Sequence, residues 1–382
     1  MKIKQWIAGL AAVLLLCLSS GLTARAEGVG GLSSLSAVLY EPESGRMLYE
    51  KDAHTPRPMA STTKLMTALV ALEHCSPEKE IVVTAEAVRV EGSALGLRAG
   101  DRITMLDLLT GLLLESGNDA ANVAAYTVAG GIPAFAAMMN ARAAAIGMKD
   151  TTFVTPSGLD EGEHSSSAYD MALLGAEVLK NETLAAICAK KTAVVRFGNP
   201  PRDITVSNHN RLLRLYPYTI GMKTGFTKKS GRCLVSAAEK DGVTLVAVTL
   251  NGGDYWNDHM ALYNYGFTQV ESVPLTPPEL PSLPVAGGTA GEAALTTETP
   301  PAKTLLVSEK EKVTAVVELP RFLLAPVTEG ETVGRVRYLA GERELCTLPV
   351  TVSASVEARP VAGYWQRFSE LLWALLLEFA RA

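Results

Sequence analysis

The segment at residues 59–68 reads MASTTKLMTA and places Ser61 and Lys64 three residues apart. Apolar residues recur at Leu65 and Leu69, so the pattern predicts an amphipathic helix with a serine at its N-terminus. Residues three apart lie on one face of a helix, which brings the lysine amine within reach of the hydroxyl. A serine is a poor nucleophile until a base takes its proton, and a lysine is a base only where burial or neighbouring cations lower its pKa. The segment therefore predicts Ser61 as a nucleophile and Lys64 as its base.

The S-x-x-K spacing is a weak signal when it stands alone. Ser and Lys are common residues, and the pattern is expected by chance about once or twice in a chain of this length. A second copy, SPEK at residues 76–79, follows the predicted helix in a turn-like stretch. We expect this second copy to lie on the surface.

Ser116, Gly117 and Asn118 form a second short motif after the apolar run at residues 108–114. On a tight turn, the Ser116 hydroxyl could relay a proton and the Asn118 amide could hold a peptide substrate. The alternative is a turn that ends a helix, with the serine and the asparagine as local caps.

Lys223, Thr224 and Gly225 form a third motif within IGMKTGFT at residues 220–227, which predicts a strand. Lys223 and Thr224 could together hold a terminal carboxylate, and Gly225 would let a substrate approach the backbone closely. The alternative is an exposed edge strand with a solvated lysine.

The three motifs S-x-x-K, S-x-N and K-T-G occur together in the order of the serine penicillin-binding and β-lactamase set. Three stretches extend the match: MASTTKLMTA at 59–68, LESGNDAA at 114–121, and the region from Ser157-Gly158-Leu159 to Tyr169-Asp170-Met171. On these residues the chain resembles low-molecular-mass penicillin-binding proteins of the D-alanyl-D-alanine carboxypeptidase type. The resemblance covers residues 34–268 and continues through 284–288 and 325–327.

The resemblance implies acyl transfer without a metal or another cofactor. Ser61 would attack the D-Ala-D-Ala carbonyl of a peptidoglycan stem pentapeptide, D-alanine would leave, and water would release the acyl-enzyme. Penicillins would acylate the same serine. The implied catalytic residues are Ser61, Lys64 and Ser116, and the implied substrate-binding residues are Asn118, Lys223, Thr224, Gly225 and Phe226. The backbone N–H groups of Ser61 and Phe226 would form the oxyanion hole.

One position departs from some relatives, which carry an arginine that assists carboxylate binding near residues 254–256. The sequence there is Asp-Tyr-Trp. Arg211 is either a substitute for that arginine or a loop charge, and it stays outside the predicted set.

The patterns along the chain predict an α+β fold of the penicillin-binding/β-lactamase type. Residues 35–50 predict a β-hairpin, residues 104–147 predict helices, and residues 232–250 predict two late strands. Early and late strands with helices between them predict one mixed sheet with a helical insertion beside it. The predicted divisions are a signal peptide at 1–26, the catalytic domain at 27–272, a Pro-rich linker at 273–284, a small all-β domain at 285–358 and an amphipathic helix at 359–382.

Both ends of the chain predict export and membrane association. Lys2 and Lys4 precede a short apolar run, and residues 24–26 read Ala-Arg-Ala, so we expect a cleaved signal peptide rather than an uncleaved anchor. Residues 364–382 predict a helix that is apolar around most of its circumference, yet its run without polar residues is too short to cross a bilayer. We expect this helix to lie in a membrane interface at the outer face of the cytoplasmic membrane or cell wall. The alternative is a helix packed on the β-domain or on a partner.

Composition excludes some classes of partner and site. The net charge of −5, which becomes −8 when Lys2, Lys4 and Arg25 leave with the signal peptide, argues against nucleic acid. The five histidines show no H-E-x-x-H spacing, which excludes a zinc peptidase of that type. Cysteines at 75, 188, 233 and 346 have no C-x-x-C spacing, and we expect buried thiols rather than disulfides.

Two other functions remain open on the same motifs. A class A-like β-lactamase would need a deacylating glutamate, and no Glu-x-x-x-Asn pattern occurs around Glu161 and Glu163. A penicillin-binding wall sensor would form an acyl-enzyme that never turns over, and sequence does not distinguish that case.

Overall fold

The computed structural model describes residues 29–360 and 363–380. The predicted signal peptide lies outside these residues. The strands of the catalytic region are β1 (Ser36–Glu41), β2 (Arg46–Lys51), β3 (Glu80–Val82), β4 (Arg102–Thr104), β5 (Thr192–Gly198), β6 (Pro201–Ser207), β7 (Thr219–Thr227), β8 (Gly231–Lys240) and β9 (Val243–Gly252). Its helices are α1 (Lys64–His74), α2 (Met105–Leu114), α3 (Asn118–Ala129), α4 (Ile132–Ile146), α5 (Ala168–Leu179), α6 (Glu182–Ala189), α7 (Leu212–Leu215) and α8 (Tyr255–Gln269).

A five-stranded sheet with the order β2-β1-β9-β8-β7 forms the centre of this region. The hairpin β1-β2 lies beside the late strand β9, which confirms that early and late strands share one sheet. All four pairings are antiparallel, so the expectation of a mixed sheet was wrong as to strand direction. The physical reason is that tight turns join β7 to β8 and β8 to β9, and a short turn can only reverse the chain. A second sheet, β3-β4-β5-β6, lies in the insertion.

Helices cover both faces of the central sheet, with α5 on one face and α8 on the other. Because both faces are covered, all six residues of β1 are buried. Val38 packs with the helical side, whereas its neighbour Leu39 packs with Tyr263 of α8. This alternation follows from the two-residue period of a strand.

Side-chain caps begin three of the helices. Thr104, Ser167 and Asn181 accept a hydrogen bond from the backbone N–H three residues later, at the starts of α2, α5 and α6. Gly130 and Gly147 end α3 and α4 in the left-handed conformation. The helices predicted at residues 104–147 are thus confirmed as three separate helices, α2, α3 and α4.

The C-terminal part of the chain is rich in strands, as predicted. Its elements are β10 (Val270–Val273), β11 (Leu283–Ala286), β12 (Glu292–Ala293), β13 (Leu295–Thr297), β14 (Lys303–Leu306), β15 (Val313–Glu318), β16 (Leu323–Leu324), β17 (Thr332–Ala340), β18 (Arg343–Val352) and the helix α9 (Tyr364–Ala380). The main sheet has the order β13-β18-β17-β15.

The Pro-rich segment is packed rather than free. It contains no helix or strand between β10 and β11, but Leu275 is buried against Val336, Tyr338 and Val350 of the β-domain. Glu309 also joins the two regions, because its carboxylate accepts from Arg46 at 2.7 Å and from Arg343 at 3.0 Å. The boundaries proposed for the linker stay a prediction.

Helix α9 contacts the β-domain through one narrow face. Ala374 on that face is 2% exposed, and Glu370 and Leu377 beside it line a cavity of about 470 Å³ against β11. Trp365 and Phe379 on other faces are 83% and 77% exposed. The contact face therefore combines Ala374 and Glu370 with the apolar Leu377, whereas Trp365 and Phe379 point away from the protein.

Across residues 29–360 and 363–380, no single helix combines the length and the apolar content of a membrane span. Helices α3 and α4 satisfy both criteria only as a pair bent by 85°.

The four described cysteines are free thiols. Cys75, Cys188 and Cys233 are buried, and Cys346 is partly exposed.

Candidate active site

Ser61 lies in a 3-10 turn, Ala60–Thr63, that leads directly into α1. The predicted α-helix therefore begins at Lys64 rather than at the serine. Ala60 has a φ of 48°, in the left-handed region that costs a residue with a side chain about 1–3 kcal/mol. Such strain persists only where the surroundings enforce it, and here they do.

Two glycines lie directly against the serine turn. A Cβ on Gly225 of β7 would lie 2.8 Å from the Met59 carbonyl oxygen, and one on Gly158 would lie 1.9 Å from that of Ala60. Both distances are too short for any side chain. The sequence predicted that Gly225 admits a substrate to the backbone, but the backbone that approaches it is that of the serine turn itself.

The Lys64 amine makes three short contacts. Its Nζ lies 2.8 Å from Ser61 Oγ, 2.7 Å from Asn118 Oδ1 and 2.6 Å from the Ser157 carbonyl oxygen. The Asn118 amide is oriented by its other end, because Nδ2 donates to the Glu91 carbonyl at 2.7 Å.

These contacts fit a neutral amine that serves as a base. A neutral amine has two N–H donors and one lone pair, whereas Asn118 Oδ1 and the Ser157 carbonyl can only accept. Both donors are thus used, and the lone pair is left for the Ser61 hydroxyl, which can donate. Lys64 is completely buried, and burial lowers its pKa well below the ordinary value, with a further lowering from the charge of Lys223.

The S-x-N motif forms the turn between α2 and α3, so the alternative of a helix-ending turn is correct as a description of the backbone. Ser116 has a φ of 65°, and its side chain lines the same cavity as Ser61. Asn118, by contrast, is buried and bonded to Lys64 and Glu91. The structure therefore places it behind the cavity wall, where it orients the lysine.

Asp119 was not predicted from sequence, yet it holds one wall of the site. Its carboxylate accepts from the backbone N–H groups of Leu95, Gly96 and Leu97 at 2.8, 2.9 and 3.0 Å. Ser93 of the same loop lines the cavity. Asp119 directly follows the S-x-N motif and lies in the first turn of α3. This position was the sequence feature that could have identified it.

Lys223 is 1% exposed, so the alternative of a solvated lysine on an exposed strand was wrong. Its Nζ donates to the Thr224 carbonyl at 3.0 Å. Burial lowers the pKa of Lys223 to about 8, against smaller opposing effects of Cys188 and Glu115.

His164 is a second buried group that sequence analysis missed. Its Nδ1 accepts from the Val154 N–H at 2.9 Å, so its Nε2 carries the proton that Thr63 Oγ1 receives at 2.8 Å. Burial lowers its pKa to about 4, which keeps the ring neutral. The ring thus ties the serine turn to the loop that presents the Ser157 carbonyl.

The cavity beside Ser61 has a volume of about 240 Å³. Its lining residues are Ser61, Ser93, Ser116, His209, Thr224, Gly225, Phe226 and Tyr255. The three motifs therefore meet at one place, although about 160 residues separate the first from the last. The second S-x-x-K copy lies elsewhere, with Ser76 and Lys79 exposed as predicted.

Comparison with known proteins places these motifs in a family. Residues 23–254 match the D-alanyl-D-alanine carboxypeptidase family of serine peptidases, S11. Residues 279–358 match the C-terminal domain of penicillin-binding protein 5.

Individual relatives agree with the family match. The chain is 29% identical over 354 residues to D-alanyl-D-alanine carboxypeptidase DacF of Bacillus subtilis (strain 168), covering 87% of this chain and 90% of that protein. Penicillin-binding protein 5 from Haemophilus influenzae has a similar structure, with a TM-score of 0.65, 26% identity, and coverage of 86% of this chain and 98% of that one. A mutant of the Streptomyces K15 DD-transpeptidase has a TM-score of 0.60 and 29% identity, over 62% of this chain and 98% of that one. With its three motifs gathered around one buried lysine, the chain belongs to the S11 family of serine D-alanyl-D-alanine carboxypeptidases.

Proposed function

We propose that this chain carries out its family's carboxypeptidase reaction on peptidoglycan stem pentapeptides through an acyl-enzyme on Ser61. Ser61 Oγ attacks the carbonyl carbon of the terminal D-Ala-D-Ala bond, and its proton passes to Lys64 Nζ. The oxyanion that forms is held by the backbone N–H groups of Ser61 and Phe226. The C–N bond then breaks, and the amine of the leaving D-alanine takes a proton delivered through Ser116.

Water completes the cycle. A water oxygen attacks the ester carbonyl, a base accepts one water proton, and the C–O bond to Ser61 breaks as the serine regains its hydrogen. The products are the shortened peptide and free D-alanine. Lys223 and Thr224 keep the roles proposed from sequence, as the cation and the hydroxyl of the substrate-binding strand.

The observation that carries the proposal is the arrangement around Lys64. In the neutral amine, the two obligate acceptors occupy both N–H donors, and the lone pair faces Ser61 Oγ at 2.8 Å. A buried lysine without an acidic partner is costly in any structure. Its presence beside a strained serine turn is understandable if it takes the serine proton.

The experiment is an assay of D-alanine release by the mature chain. We expect release from a pentapeptide ending in D-Ala-D-Ala, and none from a matched peptide ending in L-Ala-L-Ala. We also expect a fluorescent penicillin to label the protein covalently and to block the release. The penicillin-binding name of the structural relative supports this second expectation.

Each alternative has a distinct outcome. Fast hydrolysis of penicillin without D-alanine release would indicate a β-lactamase, and persistent acylation by the peptide itself would indicate a sensor. Transfer of the acyl group to an added amine, with little hydrolysis, would indicate a transpeptidase. Any of these results would contradict the proposed reaction.

We propose further that the exported chain lies at the outer face of the cytoplasmic membrane, with α9 in the interface. The support is the orientation of this helix. A narrow face that includes Glu370, Ala374 and Leu377 meets the β-domain, and Trp365, Phe368 and Phe379 are more than half exposed. Aromatic side chains of this kind favour the level of the lipid headgroups.

Replacing both Trp365 and Phe379 by serine is expected to weaken binding to phosphatidylcholine–phosphatidylglycerol vesicles by about 10-fold or more. Full burial of one large apolar side chain is worth about 1.5–3 kcal/mol and a factor of ten is about 1.4 kcal/mol, so even partial burial of the two accounts for this effect. Vesicle sedimentation measures it. Val194→Ser is the control, because Val194 is 61% exposed but lies on β5 of the catalytic region. Unchanged binding of the double variant would rule out the interfacial helix.

A further inference from the structure

Two cavities flank helix α9 where it meets the β-domain. The larger cavity, of about 470 Å³, is lined from the helix by Ser369, Glu370, Trp373 and Leu377. The smaller cavity, of about 250 Å³, is lined from the helix by Arg367, Glu370 and Leu371. In a helix with 3.6 residues per turn, these two sets lie on opposite sides of Glu370. The helix therefore meets the domain along one ridge and leaves open space on both sides of that ridge.

Charged side chains that do not pair with one another line the smaller cavity. Arg359 and Glu370 line both cavities, and Arg367 lines the smaller one as well. Within the described part of the chain, none of these three side chains forms an ion pair or a hydrogen bond. Two arginines and a glutamate thus share one space without meeting. This arrangement leaves room for a ligand that carries an anionic group for the arginines and a cationic group for the glutamate.

The edge of the smaller cavity is apolar and exposed. Leu371 of α9 is 57% exposed, and Leu324 of β16 is 58% exposed. Because Leu324 belongs to the β-domain, the exposed apolar surface continues from the helix onto the domain. Charged groups inside and apolar side chains at the edge match a membrane lipid, whose acyl chains begin directly beyond its headgroup.

The charges of the cavity distinguish between lipid headgroups. An arginine guanidinium binds a phosphate through parallel N–H donors. A carboxylate beside it repels a second anion and accepts hydrogen bonds from an ammonium group. Phosphatidylethanolamine carries a phosphate and an ammonium joined by an ethylene link. Phosphatidylglycerol lacks the cation, and the quaternary ammonium of phosphatidylcholine has no N–H donor.

We propose that the smaller cavity beside α9 binds the phosphoethanolamine headgroup of a membrane lipid, with the phosphate at Arg359 and Arg367 and the ammonium at Glu370. The inference rests on the proposed position of α9 in the membrane interface and adds a lipid preference to it. The exposed apolar side chains of the helix give general affinity for a bilayer. The charged cavity selects the headgroup and, once filled, fixes the helix on the β-domain.

The test measures binding of the mature chain to two kinds of vesicle by sedimentation. Phosphatidylglycerol makes up half of the lipid in both, and the other half is phosphatidylcholine in one and phosphatidylethanolamine in the other. The two surfaces therefore carry the same density of anionic lipid. We expect the wild type to bind the vesicles with phosphatidylethanolamine about fivefold more tightly, as one partly exposed charged contact allows.

Glu370→Gln should reduce this preference to less than about twofold, because the amide lacks the charge that attracts the ammonium. Binding to the vesicles with phosphatidylcholine should be retained. Glu378→Gln is the matched control, since it removes one negative charge from the same helix but Glu378 lines neither cavity. This control should keep the full preference. Arg359→Gln should weaken binding to both kinds of vesicle by a similar factor, because every lipid in them carries a phosphate.

A soluble headgroup separates recognition from the effect of phosphatidylethanolamine on lipid packing. Glycerophosphoethanolamine should lower the affinity of the wild type for the phosphatidylethanolamine vesicles to the value for the phosphatidylcholine vesicles. Glycerophosphocholine should leave that affinity unchanged. Neither compound should affect Glu370→Gln.

Equal binding of the two kinds of vesicle by the wild type, or a preference that Glu370→Gln retains, would overturn the proposal. Both results leave the interfacial helix intact, whereas absence of binding to either vesicle contradicts the helix and the headgroup site together. D-Alanine release should be the same in all variants, since Arg359, Glu370 and Glu378 do not line the cavity beside Ser61. Absence of release by the wild type would contradict the carboxypeptidase function alone.

Discussion

Ser61→Ala is expected to lower D-alanine release by about 10⁴-fold or more and to abolish covalent labelling by penicillin. Removal of the nucleophile leaves only binding and the oxyanion hole, which retain a small fraction of the rate in serine hydrolases. The fold should be little affected, because the Ser61 side chain is partly exposed and the substitution removes its hydrogen bond to Lys64. The measurements are D-alanine release and fluorescent-penicillin labelling.

The second S-x-x-K copy provides a matched control. Ser76→Ala removes a serine with the same spacing to a lysine, but this serine is exposed and does not line the cavity beside Ser61. We expect full activity and full labelling in this variant. Labelling that persists in Ser61→Ala and disappears in Ser76→Ala would reverse the assignment of the nucleophile.

Lys64→Met is expected to slow acylation by penicillin by about 10³-fold, within the range that general base catalysis contributes. Methionine has nearly the length of lysine without its amine, so the variant removes the base and leaves the cavity lining in place. Stopped-flow measurement of acylation gives the rate. Lys79→Met is the control, since Lys79 belongs to the second copy and is exposed.

The pH dependence of acylation follows from the two buried lysines. The lowered pKa of Lys64 means that its amine becomes a free base at lower pH than an exposed lysine, so the rate should rise with pH and level off early. The pKa of Lys223 is about 8, so its positive charge is lost above that pH and the rate should fall again. A profile that keeps rising beyond pH 9 would contradict this assignment.

The lowered pKa of Lys64 also makes the free energy of unfolding depend on pH. Lys64 has a lower pKa in the folded than in the unfolded state, so at neutral pH the unfolded chain binds more protons. The contribution of this group to the free energy of unfolding is least favourable at low pH. It rises with pH until the amine of the unfolded chain also loses its proton. Lys64→Met should flatten this part of the stability profile, which chemical denaturation at several pH values measures.

Local patterns predicted much of the fold because the elements concerned carry their own signals. The hairpin at residues 35–50 has two apolar segments around a glycine turn, and the structure has β1 and β2 there. Helix α1 lies where the apolar pattern predicted a helix, although its residues 64–71 are buried on all sides rather than along one stripe. The K-T-G strand and the late strands β8 and β9 followed from β-branched and apolar runs.

The pairing of distant strands and the burial of charged side chains were harder to predict from the sequence. Short turns fix the antiparallel direction within the hairpins, but the pairing of β1 with β9 joins strands about 200 residues apart and has no local signal, so the prediction of a mixed sheet was wrong. Whether Lys223 is buried or solvated depends on what packs over β7. The sequence left both alternatives open.

The amino-acid sequence by itself determined the family motifs, their order and the chemical types they bring: two serines, two lysines, a threonine and an asparagine. Only the tertiary structure decided what each of them touches. It turned Asn118 towards Lys64, pressed Gly225 and Gly158 against the serine turn, and brought His209 into the cavity. The physical reason is that pKa values and hydrogen-bond partners depend on burial and on contacts between residues distant in sequence, which local patterns do not encode.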